Sequence, residues 1–321
     1  MPAIYDALPG QEVPVGGIAA GFTKLWADSP AEESRAVQLN LVLHLGSGTT
    51  PEDAAVQFQT TLRFAQRYPC RVVVLCPEFD PAAPAEMRAK IYGECFLGKS
   101  KNDTRCVEFV ILHYAMTVRQ NLESQVSVCL SSDMPLYYWA HHFLVAKRLA
   151  DYDYLLTRSQ RILFDSAVVP AEAFTYPWPN IAAVRDLAYT RTLPMRQNMG
   201  QFLSRYAPAL IIGGLKAVTI RHRAQLGAEA SCLLGWVKKG LVRSGANIDQ
   251  GIAFTATPVD CAGCFTLEFT YADPTKVFRW EADLTRNHAE FTGDLGTGRT
   301  TLTVGAHFLE PELALSEAMF F

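Results

Sequence analysis

The sequence has no apolar run near the roughly 18 residues that a membrane helix needs, so no membrane partner is expected. It has no basic excess. The 29 Lys and Arg stand against 32 Asp and Glu, for a net charge of -3, which argues against nucleic acid as a partner. Internal repeats and low-complexity segments are also missing. The opening residues MPAIYDALPG lack a basic segment followed by an apolar one, so no secretory leader is expected. There is no G-x-S-x-G elbow. Nothing in the spacing links any of the seven histidines to a serine or cysteine nucleophile, and Gly213-Gly214 is too short for a dinucleotide fingerprint. No metal site and no cofactor is expected.

What is present is apolar. Of the 321 residues 49% are hydrophobic and 19% charged, enough to bury a sizeable core in one large or two ordinary domains. The eight cysteines sit mostly in apolar runs such as Val74-Leu75-Cys76 and Val128-Cys129-Leu130. That placement suits reduced, buried thiols and a cytoplasmic protein.

Hydrophobic period gives the element order. Residues 15–27 read as a helix and 37–45 as a strand. Thr50-Pro51-Glu52-Asp53 opens a second helix, with proline near the first turn and acids at the positive end of the dipole. Its face is Ala55, Phe58, Leu62 and Ala65. RVVVLC (71–76) is a short buried strand, and 85–97 is another. The stretch 104–142 then reads as strand, helix and strand, with Val118, Leu122, Val126 and Cys129 on the helix face. Such a crossover normally makes its two strands parallel neighbours. A helix over 143–152 and the strand RILF (161–164) follow.

From Pro177 the texture changes. Helices are expected over 181–189, 194–206 and 224–241, with a strand at 217–222. An antiparallel set at 252–257, 264–271, 276–283, 289–292 and 300–304 and a last short helix at 311–319 complete the chain. The expectation is therefore an α/β fold. A mixed or parallel sheet domain over 1–170 precedes an α+β domain over 171–321, helical at 178–242 and antiparallel at 250–305.

Two motifs suggest chemistry. Gly93 to Ser100, GECFLGKS, satisfies the phosphate-loop pattern, in which backbone amides cradle phosphates, Lys99 reaches the outer phosphates and Ser100 holds magnesium. A phosphate loop must open a helix. Here a strand follows after a few polar residues, so a hairpin loop is preferred. Cys261-Ala262-Gly263-Cys264 is a C-x-x-C with neither a second pair nor paired histidines for zinc. It reads as a turn. His141-His142 ends a sheet strand, where open α/β sheets bind ligands, but adjacent imidazoles ordinarily diverge.

Four stretches in order resemble the glucose-6-phosphate dehydrogenase assembly protein family, OpcA. They are YPCRVVVL (68–75); the unit 106–139 with its Asp-x-Pro entry into a Trp-bearing strand; QRILFDSA (160–167); and DLAYTRTLPMR (186–196). The family's paired tryptophans are here Tyr138-Trp139, and its Thr-Arg segment carries Tyr189 and Met195 in place of tryptophan. The resemblance covers residues 15 to about 245. It implies a non-enzymatic factor that binds glucose-6-phosphate dehydrogenase and favours its active oligomer. Arg71, Tyr138, Trp139, Asp165, Ser166, Asp186, Arg191 and Arg196 are the candidate partner- or ligand-binding residues. Arg71, the two acids and the two later arginines are expected to form one polar network at the carboxyl edge of the sheet. The alternative is a nucleotide or sugar-phosphate binding protein or enzyme using Gly93–Ser100 or the Arg191/Arg196 cluster.

Overall fold

The computed structural model describes residues 4–27, 37–97, 104–248 and 251–321. Two compact units result, Met1–Leu187 with Pro311–Phe321, and Ala188–Glu310.

The first unit is an eight-stranded mixed sheet between two helical layers. In chain order it holds α1 (Ile4–Ala7), β1 (Gln11–Val13), α2 (Ile18–Leu25), β2 (Leu39–Leu45), α3 (Pro51–Arg67), β3 (Cys70–Glu78), β4 (Met87–Leu97), β5 (Thr104–Ala115), α4 (Leu122–Cys129), β6 (Leu136–His141), α5 (Asp153–Arg158), β7 (Arg161–Phe164) and β8 (Val184–Asp186). The strand order is β1-β4-β5-β3-β2-β6-β7-β8. From β5 to β8 all neighbours are parallel, and β4 and β1 extend that edge antiparallel. Every residue of β2 is buried, as expected of a strand covered on both faces. Leu41, Leu43, Val72, Val74 and Trp139 face α1 and α3, whereas Val42, Val73, Leu75 and Tyr138 face α2, α4 and α5.

Local chemistry explains α3. The Thr50 hydroxyl accepts from the Asp53 amide at 3.1 Å, and proline occupies the first turn. On α4 the buried residues are Leu122, Val126 and Cys129, three of the four expected on that face, whereas Val118 lies in a 3-10 turn before the helix and is only partly buried.

Several expectations need correction. The strands of the 104–142 unit, β5 and β6, are parallel but not neighbours, because the more deeply buried β3 and β2 lie between them. Residues 143–145 are not helical, and a 3-10 turn (Ala146–Tyr152) leads into α5. Within 181–189 the chain makes a short strand, β8, which adds to the sheet edge beside β7.

The second unit continues with α6 (Leu187–Arg191), α7 (Leu193–Leu203), α8 (Pro208–Ile212), β9 (Leu215–Arg223), α9 (Gly227–Arg243), β10 (Ala253–Val259), β11 (Cys264–Tyr271), β12 (Val277–Asp283), β13 (His288–Asp294) and β14 (Thr300–Gly305). The sheet order is β10-β9-β11-β12-β13-β14. Strand β10 was expected in an antiparallel set, but it pairs parallel to β9. The intervening α9 is a crossover, and a crossover returns the chain in the same direction. Ala230, Leu233, Val237 and Leu241 of α9 are buried with Met195, Met199 and Phe202 of α7 against Phe265, Leu267, Phe278 and Phe291.

The last helix, α10 (Pro311–Phe320), belongs to the first unit. Leu315, Ala318 and Met319 are buried in its core, and Arg63 pairs with Glu312 at 3.1 Å.

The cysteines also differ from expectation. Antiparallel β4 and β5 place Cys95 opposite Cys106, with Cα atoms 4.0 Å apart, and a disulfide joins them. Cys261 and Cys264 are joined as well. Cys70, Cys76 and Cys129 are buried free thiols.

Candidate functional site

In the first unit the chain leaves β2 on one side for β3 and β5, and later resumes on the other side with β6, β7 and β8. The helices that follow diverge accordingly. Helix α3 covers one face, and the 3-10 turn with α5 covers the other. The carboxyl ends of β2 and β6 are therefore a topological switch point, where a crevice forms in open α/β sheets.

Three side chains converge there. Asp53 comes from the first turn of α3, and His141 and His142 from the end of β6. His141 Nε2 lies 2.7 Å from Asp53 Oδ2, and His142 Nδ1 lies 3.5 Å from the same oxygen. Gln57 Nε2 donates to Asp53 Oδ1 at 2.9 Å, which turns the other oxygen to the histidines. Burial raises the Asp53 carboxyl, but the hydrogen bonds from His141 and Gln57 outweigh it and hold the group well below the usual carboxylate range.

Backbone geometry makes this convergence possible. His142 has φ 50°, a left-handed conformation uncommon outside glycine. It turns the second imidazole to the side of the first. The Gly46 amide donates to the His141 carbonyl at 2.7 Å and the Gly48 amide to the His142 carbonyl at 3.0 Å. A Cβ at Gly48 would stand 2.5 Å from the His142 ring, so glycine is required for the ring to lie there.

Beneath the crevice runs a buried polar chain. His44 Nδ1 is 2.8 Å from the Tyr138 hydroxyl, and His44 Nε2 is 3.1 Å from Tyr114, which bonds Tyr152 at 2.8 Å. A neutral imidazole offers one donor and one acceptor, which serves both tyrosines. Burial pushes the His44 pKa down to about 3 and the Tyr152 pKa up to about 12.

Of the candidate residues named from sequence, Arg71, Tyr138, Trp139, Asp165, Ser166 and Asp186 lie in the first unit and Arg191 and Arg196 in the second. Tyr138 and Trp139 are buried on opposite faces of the sheet, so neither presents a surface. Arg71 stands at the amino edge of the parallel strands, opposite to the carboxyl edge expected. It pairs with Glu108, which also accepts from Trp26 Nε1 at 3.0 Å. Asp165, Ser166 and Asp186 do come together at the carboxyl ends of β7 and β8. The Ser166 amide donates to Asp186 Oδ1 at 3.1 Å, and Asp165 Oδ1 caps the Ala167 amide at 3.0 Å. In the second unit Arg191 pairs with Glu229 of α9 at 2.7 Å. Arg196 lies over the Tyr189 ring at 3.8 Å and donates to its hydroxyl at 2.8 Å.

The first five residues of the phosphate-loop pattern, Gly93 to Leu97, are strand paired to β5. Lys99 and Ser100 lie outside the described residues. A cleft of about 660 Å³ opens at the amino edge, beside Asn40, Ser131 and Leu136.

Sequence reasoning recognised His141-His142 but took Asp53 only as a helix-start acid. The available signal was positional, since Asp53 opens the helix that leaves the strand beside β6. Among the described residues no helix is long and apolar enough to cross a membrane.

Comparison with known proteins bears on this domain. No curated protein matches the chain. Residues 62–177, just over a third of the chain, match the family model described as glucose-6-phosphate dehydrogenase subunit N-terminal domain. That span runs from α3 to just before Trp178 and contains three of the four stretches that carry the resemblance. Over these residues the chain is similar to the N-terminal domain of the OpcA family of glucose-6-phosphate dehydrogenase assembly proteins.

Proposed function

We propose that this protein is a non-enzymatic assembly factor that binds glucose-6-phosphate dehydrogenase and favours its active oligomer, in the cytoplasm and in the oxidative pentose phosphate pathway. The observation that carries this reading is the family match over residues 62–177. Mechanistically, the chain acts by binding the competent oligomer better than the inactive form. A hundredfold preference, about 2.7 kcal/mol, moves the population by the same factor.

The matched domain offers contact residues. Leu144 and Val145, after β6, and Phe174, after β7, are large apolar side chains 50 to 60% exposed. Phe174 packs edge-on to Phe164 at the carboxyl end of β7, close in sequence to Asp165 and Ser166. Exposed apolar groups beside polar ones are the usual makings of an interface. Asp165, Ser166 and Asp186 belong to this rim, which we assign to the dehydrogenase.

Co-purification tests the reading. The full chain should retain dehydrogenase from the same source, and Phe174→Ser with Leu144→Ser should lose it by tenfold or more while still folding. Retention of no dehydrogenase by the wild-type chain would reject the assignment.

A further inference from the structure

The convergence of Asp53, His141 and His142 goes beyond the assembly role and does not depend on it. Among the described residues it is the one group of three or more His, Cys, Asp and Glu side chains whose ligand atoms share a small volume, all within 4.8 Å of one another. We infer that these three side chains form a binding site for a single zinc-like divalent cation at the switch point between β2 and β6.

The donor set supports this. Two imidazole nitrogens and one carboxylate oxygen are standard zinc ligands, and three protein ligands leave a fourth position open. Tetrahedral bonds of about 2.0–2.1 Å place donor atoms about 3.3 Å apart. The two separations from Asp53 Oδ2, 2.7 and 3.5 Å, bracket that value. The two imidazole nitrogens lie within 4.8 Å of each other, so a cation draws the three donors together by small side-chain rotations.

The supporting groups point the same way. Neighbouring imidazoles normally diverge, and here a left-handed His142 brings them together. Such backbone strain persists only where its surroundings impose it, and it clusters at functional sites. The surroundings are Gly46 and Gly48, bonded to the two histidine carbonyls. Gln57 orients the carboxylate through its other oxygen, as outer-shell partners of metal ligands do. His141 is buried, and the His142 and Asp53 side chains are each 27% exposed, so an ion can enter and the fourth position faces solvent.

The test uses the full chain, stripped with chelator and kept oxidised so that the two disulfides do not compete. Calorimetric titration with zinc chloride should give one ion per chain. Cobalt(II) should give the absorption of a four- or five-coordinate site. Asp53→Asn and His142→Asn should each weaken zinc tenfold or more and abolish the cobalt signal. The His142→Asn variant decides the matter if Asp53→Asn loses stability, because asparagine tolerates the left-handed backbone. Zinc should raise the melting temperature of the wild type and not that of His142→Asn. His288→Ala, at an exposed position outside the site, should bind as the wild type does. A folded wild type that takes up no zinc, or zinc binding unchanged in His142→Asn, would overturn the inference.

Discussion

Gly93 makes room for Trp26. A Cβ on Gly93 would stand 2.5 Å from the indole Cζ2 of Trp26, so the ring lies directly on the β4 backbone. The first glycine of GECFLGKS is thus a packing glycine within a paired strand, whereas a phosphate loop needs its glycine where a strand ends and a helix begins.

Substituting Gly93 tests this. Gly93→Ala must displace the Trp26 indole and should cost about 1–3 kcal/mol, the usual penalty for overpacking. Urea unfolding measures the loss. A titration of the wild-type chain with magnesium nucleotide should show no saturable heat. A neutral Gly93→Ala, or tight magnesium-dependent binding, would restore the phosphate-loop reading.

Glu108 ties three elements together. Its carboxylate receives Trp26 Nε1 from the α2 end and the Arg71 guanidinium from β3. Glu108→Ala removes one acceptor from a buried indole N–H and from a half-buried guanidinium that keeps only a 3.5 Å bond to the Cys129 carbonyl among the hydrogen bonds described. The expected loss is about 3 kcal/mol. Adding Arg71→Ala should cost less than the sum of the single changes, because the two groups share one interaction. Denaturation of the three variants supplies the cycle.

Acid should weaken the first unit through His44. Its native pKa is held near 3 by burial, against about 6.5 in the unfolded chain. Between these values the unfolded state binds a proton that the native state refuses. Stability therefore falls as pH falls, by up to about 1.4 kcal/mol per pH unit, and is unaffected by this group above about pH 7. Asp53, held below its ordinary range, adds a further loss only below about pH 4. Urea midpoints between about pH 7 and pH 4 should show the slope in the wild type. His44→Gln should be less stable at neutral pH and have a flatter profile.

The elements most legible in the sequence were those whose signal is local. RILF is strand β7 to the residue, because three apolar residues between Arg161 and Asp165 have no other economical burial. Thr50-Pro51 marked the start of α3 through cap chemistry. The partners of strands were less legible. Hydrophobic period says that β5 and β6 are buried but not that β3 and β2 stand between them. The same limit hid the parallel pairing of β9 and β10. Strand β8, three residues long, shows no period at all. The site depends on contacts across 88 residues between Asp53 and His141 and on the backbone angle of His142, neither of which periodicity encodes. Tyr138 and Trp139 were identified as adjacent aromatics, yet alternation in a doubly covered strand sends both into the core, one to each side.

The assembly role is tested most directly by the state of the enzyme itself. Glucose-6-phosphate dehydrogenase, diluted until its oligomer dissociates, is titrated with this chain while activity and sedimentation are followed together. The account predicts that activity and the larger oligomer rise in parallel and saturate at a fixed ratio of chain to enzyme. Enzyme size and activity that stay unchanged through the titration would contradict it.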